Sequence, residues 1–155
     1  MHGDTGVIEQ LNLALSAELT AIVQYMTQSE MCQNWGYAGL AARTRQRAIE
    51  EMHHAETLIE RIIFLNGTPT VAVELKPKLG TNVLQQKFNL NDEQGAVVQY
   101  NEAARICAEA KDEGSKGLFD RMIADEEAHA DYLDAQLKAI EQIGIGPYLA
   151  QQLKA

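Results

Sequence analysis

Displaced by 75 positions, the chain overlies itself. Glu18-Leu-Thr-Ala-Ile-Val-Gln-Tyr25 falls on Glu93-Gln-Gly-Ala-Val-Val-Gln-Tyr100, and Glu50-Glu51-Met-His-His54-Ala55 falls on Asp125-Glu126-Glu-Ala-His129-Ala130. Leu58 then meets Leu133, and Ile62 meets Leu137. An echo of this kind makes each half a copy of one supersecondary unit that cannot bury its apolar face alone. Two such copies pack about a pseudo-twofold axis.

The unit is a helical hairpin. Ile8, Leu11, Leu15, Ile22 and Tyr25 follow one another at helical steps, with Asp4 and Thr5 able to cap the start and Trp35-Gly36 marking the end. A second helix is closed by Asn66-Gly67 and then Pro69. Residues 68–80 carry Pro69, Pro77 and Gly80 around Val71-Ala72-Val73, a lone strand-like run with nothing to pair with, and read as a long crossover. The apolar pattern of the third helix breaks near Asn89-Leu90-Asn91-Asp92. Gly114-Ser115 opens a fourth helix, and Gly146-Pro147 opens a short fifth. The pattern predicts helices over about 5–35, 40–66, 82–112, 115–143 and 147–154. The expected fold is all-α: one domain over 1–155, an antiparallel four-helix bundle with a long crossover between the second and third helices and a short C-terminal fifth helix.

Composition narrows the function classes. With 22 Asp+Glu against 13 Lys+Arg and a net charge of −9, a polyanion partner is disfavoured. The one basic run, Arg43-Thr44-Arg45-Gln46-Arg47, reads as a solvated helix face, so no nucleic acid is expected. Cys32 and Cys107 form no Cys-x-x-Cys pair and read as reduced thiols in a cytoplasmic protein. The N-terminal residues show no export signal, and no uncharged apolar run approaches the ~20 residues of a membrane span.

The residues that coincide in the repeat are polar, yet they fall on the apolar faces. Glu18 shares a face with Leu11, Leu15, Ile22 and Tyr25, and Glu93 with Leu90, Val97 and Tyr100. Glu51 and His54 belong with Leu58, Ile62 and Leu65. Glu126 and His129 belong with Met122, Leu133 and Ile140. A Glu and a His three apart lie one helical turn apart and can reach one point. Of the three Glu-x-x-His matches, Glu50…His53 lies off the buried face and reads as surface. Four ionised glutamates in an apolar core cost several kcal/mol each unless paired. With no Lys or Arg expected on their faces, cations must compensate. Two divalent ions match four carboxylates, and oxygen-rich ligation with one imidazole per metal and no thiolate favours iron or manganese. Such a pair of metals can share the reduction of O₂.

The chain resembles bacterioferritin, the haem-containing ferritin of bacteria, over its whole length. The resemblance is carried by Gly3-Asp4, Ala17–Tyr25, Asn34-Trp35-Gly36, Ile49–Ala55, Ile59–Leu65, Asp125–His129 and Gly144…Tyr148-Leu149. It implies a ferritin-like shell of 24 subunits that oxidises Fe(II) with O₂ or H₂O₂ at an intrasubunit di-iron centre, a ferroxidase activity, and stores ferric mineral inside. By resemblance Glu18 and Glu93 are terminal ligands, Glu51 and Glu126 bridge, and His54 and His129 supply one imidazole to each iron. These six are the implied catalytic and metal residues. Tyr25 matches a tyrosine close to the centre. Met52 matches the methionine that binds the iron of a haem b shared between two subunits, with a small ferredoxin as electron donor.

The sequence departs from the family pattern at Arg43-Thr44-Arg45-Gln46-Arg47, where His and acidic residues are usual, and at Leu58, often aromatic. Gln46 and Arg47 are poor ferrous ligands, so the resemblance leaves an accessory iron site on the cavity wall open. Two alternatives stay open beside storage: a di-iron or dimanganese oxidase or peroxidase, and a non-catalytic subunit of a mixed shell.

Overall fold

The computed structural model describes residues 1–155. It has five α-helices and no strand: α1 (Thr5–Asn34), α2 (Ala38–Phe64), α3 (Gln86–Glu109), α4 (Glu113–Ile143) and α5 (Ile145–Ala150), with a 3₁₀ turn at Val83–Gln85 leading into α3. The helix ends follow from local chemistry. Asp4 is extended and accepts the Val7 amide at 3.1 Å, filling one of the free donors of the first turn. Asn66, at φ +60°, turns the chain out of α2, and the next residue must be Gly: a Cβ at Gly67 would stand 2.9 Å from Ile8 Cγ2. The cap of α4 is Asp112, two residues before the expected Gly114. Its carboxylate accepts the Ser115 amide at 2.9 Å and the Ser115 hydroxyl at 2.7 Å.

α1 packs on α2 and α3 on α4, giving two antiparallel hairpins joined by the crossover, which lies across the bundle without secondary structure. Val71-Ala72-Val73 pairs with nothing. The principal core contains Leu11, Leu15, Leu58, Ile62, Cys107, Phe119 and Met122, and the Tyr100 and Phe119 rings tilt together with centroids 5.8 Å apart. A smaller core at the far end gathers Cys32, Leu40, Ala41 and Val83 beneath Trp35, Tyr37 and Leu149. Both cysteines are free and buried, and burial pushes each thiol up to about 11. Over an 18-residue window α1 is long and apolar enough to cross a membrane. Its apolar content also serves the core, through Val7, Leu11, Ala14 and Leu15, and the same helix buries Glu18, Gln24 and Gln28.

α3 runs unbroken through 89–92, where the apolar pattern fails. The reason is a buried amide network. Asn89 accepts from Gln24 and Gln28, each at 2.9 Å, and donates to Gln28 at 2.6 Å. Gln24 accepts the Lys78 amide at 2.8 Å, and Gln28 donates to the Lys78 carbonyl at 3.1 Å. Polar side chains thus pin the crossover to the α1–α3 seam, satisfying backbone groups that have no helical partner.

Candidate metal centre

Glu18, Glu51, Glu93 and Glu126 come from the middles of α1, α2, α3 and α4 and are between 1% and 4% exposed. With His54 and His129 they form two overlapping groups, Glu18/Glu51/His54/Glu126 and Glu51/Glu93/Glu126/His129, each with ligand atoms within 4.8 Å of one another. Glu51 and Glu126 belong to both, and their oxygens divide accordingly. Glu51 turns Oε2 toward His54 Nδ1 (3.7 Å) and Oε1 toward His129 Nδ1 (3.6 Å). Glu126 turns Oε1 toward His54 (3.3 Å) and Oε2 toward His129 (3.6 Å). Each central carboxylate therefore offers one oxygen to each half.

An outer ring orients these groups. His54 Nε2 meets Asp125 at 2.8 Å and His129 Nε2 meets Glu50 at 2.7 Å, which places the hydrogen on Nε2 and leaves Nδ1 facing inward. Both inward Nδ1 atoms, with Glu18 Oε2 and Glu126 Oε1, are buried without a hydrogen-bond partner. Tyr100 donates to Glu18 at 2.7 Å, and Tyr25 donates to Glu93. A donor set of inward imidazole nitrogens and carboxylate oxygens, held by fixed outer partners, fits two oxygen-preferring divalent ions.

One expectation is corrected. A basic side chain does share the carboxylate faces: Arg47, one turn before Glu51, is only 11% exposed and donates Nη2 to Glu51 Oε1 at 2.9 Å and to Glu93 Oε1 at 2.7 Å. Its guanidinium lies 5.0 Å over the Tyr25 ring. The run 43–47 is thus not a uniformly solvated face. Arg43 stacks on Tyr132 at 4.3 Å, Arg45 and Gln46 are exposed, and Arg47 turns inward. Protons also share the compensation. Burial, then the neighbouring Glu51 charge, holds the Glu18 carboxyl well above its usual range. Burial opposes a charge on His54, but Glu126, Glu18 and Glu51 outweigh it and raise the imidazole above its ordinary value. Burial likewise pushes Glu51 up, yet the neighbouring Glu18 and His54 side chains and the Arg47 charge bring it down to about 2.

A cavity of about 600 Å³ opens between α1, α3 and the crossover. Its inner wall includes Glu18, Tyr25, Glu51, Glu93, Tyr100 and Glu126, and its outer wall Lys76, Lys78 and Asp92.

All six expected residues come together, and Tyr25 joins them. Met52 stands apart on the outer side of α2, 42% exposed. Sequence reasoning missed Tyr100, Asp125, Glu50 and Arg47. The first three were visible in the repeat, where Tyr100 falls on Tyr25 and Asp125 on Glu50. Glu50, set aside with His53 as surface, serves His129. Arg47 was legible from its four-residue spacing to Glu51.

Four helices that converge four carboxylates and two Glu-x-x-His imidazoles define a ferritin-like carboxylate bundle, a known template. The family model for the ferritin-like domain matches residues 8–143. Bacterioferritin of Brucella melitensis biotype 1 is 43% identical over 145 residues, covering 93% of this chain and 90% of that protein. Bacterioferritin of Mycolicibacterium paratuberculosis is 38% identical over 152 residues (97% and 96%), and that of Rhodobacter capsulatus 41% over 146 residues (93% and 90%). The chain belongs to the bacterioferritin family of iron-storage proteins.

Proposed function

We propose that the chain is a ferroxidase that takes two Fe(II) ions as substrate at Glu18, Glu51, His54, Glu93, Glu126 and His129, and stores the ferric product inside a 24-subunit shell. The observation that carries this reading is the pair of inward, unpartnered Nδ1 atoms facing split carboxylates. Glu51 and Glu126 bridge, since each presents one oxygen to each half. Glu18 and Glu93 complete the two halves and are oriented by Tyr100 and Tyr25. Asp125 and Glu50 hold the imidazoles with Nδ1 inward. Each Fe(II) gives up one electron, so the pair reduces O₂ with two protons to H₂O₂, or H₂O₂ with two protons to two water molecules. The cavity beside Glu18 and Glu93 offers small reactants a path. Stopped-flow absorbance after adding Fe(II) to aerobic protein tests this: a fast phase saturating at two Fe(II) per subunit is expected, and its absence rejects the assignment.

Met52 suits a haem b held between two subunits, because its thioether lies on the outer side of α2 with a large exposed fraction. Bound there by one methionine from each subunit, the haem would supply an electron path for reductive iron release, fed by a small ferredoxin. Free buried Cys32 and Cys107 accord with a cytoplasmic setting.

A further inference from the structure

The outer ring obeys the 75-residue repeat except at one position. Tyr25 and Tyr100, Glu50 and Asp125, and His54 and His129 are matched pairs with matched contacts. Arg47 has no such counterpart: 75 positions on stands Met122, buried in the apolar core. The two halves of the centre consequently differ. In the His54 half, Glu18 Oε2 and the inward oxygens of Glu51 and Glu126 meet no Lys or Arg; the basic group facing them is His54 Nδ1, one of the expected ligands, at 3.3–3.7 Å. In the His129 half, Arg47 Nη2 holds the oxygen that Glu51 turns toward His129, and it also holds Glu93 Oε1.

That guanidinium is poorly anchored for a buried cation. Nε and Nη1 make no hydrogen bond, although a buried Arg ordinarily uses most of its five donors. Withdrawal of the side chain breaks the two Nη2 bonds and the stacking over Tyr25. A further acceptor lies on the outer side: Glu50 Oε2, 3.5 Å from Nε on a carboxylate 37% exposed, an oxygen it would share with His129 Nε2 at 2.7 Å.

We infer that Arg47 is a resident counter-cation of the His129 half, and that its withdrawal toward Glu50 admits the second metal and makes loading sequential. The inference rests on the two-metal reading above. Four carboxylates shared with a guanidinium accept a first divalent ion at Glu18, Glu51, His54 and Glu126 while net negative charge remains. A second ion meets a positive charge on Glu51 and Glu93 and binds only when that charge leaves. Arg47 acts through the two ligands it holds and is a positioning residue, not a catalytic one.

The test is Co(II) titration of chelator-treated, assembled protein, followed by calorimetry and visible absorption, in the wild type, Arg47→Met, Arg47→Gln and His129→Ala. Met is the residue the repeat itself places opposite, and the Gln variant covers any folding loss in Arg47→Met. Wild type should bind two Co(II) per subunit, the second about tenfold more weakly, within the span of ordinary site-to-site coupling. Both Arg47 variants should tighten the weak site about tenfold and leave the tight site unchanged. His129→Ala should lose the weak site. Two equal wild-type sites, or a weak site that Arg47→Met and Arg47→Gln leave unchanged or weaken further, overturns the role of Arg47 while leaving the two-metal centre standing. Fewer than two Co(II) per subunit at saturation in the wild type rejects the centre itself, and the role of Arg47 with it.

Discussion

The Tyr100 hydroxyl on α3 donates to Glu18 on α1 across the bundle at 2.7 Å. Its repeat mate, Tyr25 on α1, donates to Glu93 on α3. The bonds cross, so each terminal carboxylate is oriented by the opposite hairpin and the site also stitches the hairpins together. Burial, then the charge on Glu18, raises the Tyr100 phenol well above its ordinary value, so it remains a donor. Tyr100→Phe removes that donor and leaves Glu18 buried and under-satisfied, which should cost about 1–3 kcal/mol. Urea unfolding of chelator-treated protein measures it, with Val98→Ala, at a site 73% exposed, as a control expected to change little.

Glu18→Ala and His129→Ala each remove a group from one half of the centre. Rapid ferrous oxidation should fall by more than about 100-fold in both, while size-exclusion chromatography shows the same assembled particle. Both side chains face the interior of the four-helix bundle. Fast phases unchanged in both variants would reject the six-residue assignment.

The architecture was legible because helical spacing and a repeat are strong, redundant signals. Glu18 and Glu93 stood out as acids embedded in apolar series, and the Glu-x-x-His pairs as matched positions. The misses have a common physical cause. Periodicity places a residue on a face but does not report how far a long side chain reaches. Arg47 sits at the edge of its helix face, and only its length and the pull of Glu51 and Glu93 bring its charge inside. Asn89 and its neighbours broke the α3 pattern because they satisfy the crossover backbone, a requirement set by a segment distant in sequence.

Asp125 and Glu50 fix the imidazoles from outside. Asp125→Asn and Glu50→Gln keep shape but remove charge, and should weaken Co(II) binding about 10–100-fold without changing its stoichiometry. Calorimetry separates the two quantities. Because His129 depends on Glu50, the Glu50 variant should act on the site that His129→Ala abolishes, and the Asp125 variant on the other.

Protonation opposes loading. Glu18 and His54 both have raised values in the cluster, so each holds its proton to higher pH than usual and a metal must compete with it. Zn(II) binding should therefore release protons, and its apparent affinity should rise between about pH 6 and pH 8. Calorimetry in buffers of different ionisation enthalpy counts the protons. The same shifts set the stability of chelator-treated protein. The raised His54 contributes stability that is full below its ordinary value and is lost as pH climbs through the raised one. The depressed Glu51 contributes stability that is full above the ordinary carboxylate range and is lost as pH falls toward about 2. Zn(II) binding without proton release would contradict this picture.

Met52 follows Glu51 directly, and one residue along a helix turns a side chain about 100° around the axis. The glutamate is 2% exposed and the methionine 42% exposed, so a single step separates the metal cluster from the outside of the bundle. Two such thioethers, one from each of two subunits related by a twofold axis, can hold one planar haem between them. With both thioethers bound, such a haem would keep no open position for O₂ and would supply electron transfer. One haem per two subunits is expected in haem-supplied protein. Met52→Leu removes the ligand and should empty the site. Met52→His can still coordinate and should retain haem with a shifted Soret band. Fe(II) oxidation should persist in both, because the cluster faces the other way, while reductive iron release should slow. A full haem complement with an unaltered spectrum in Met52→Leu would exclude Met52 as the ligand.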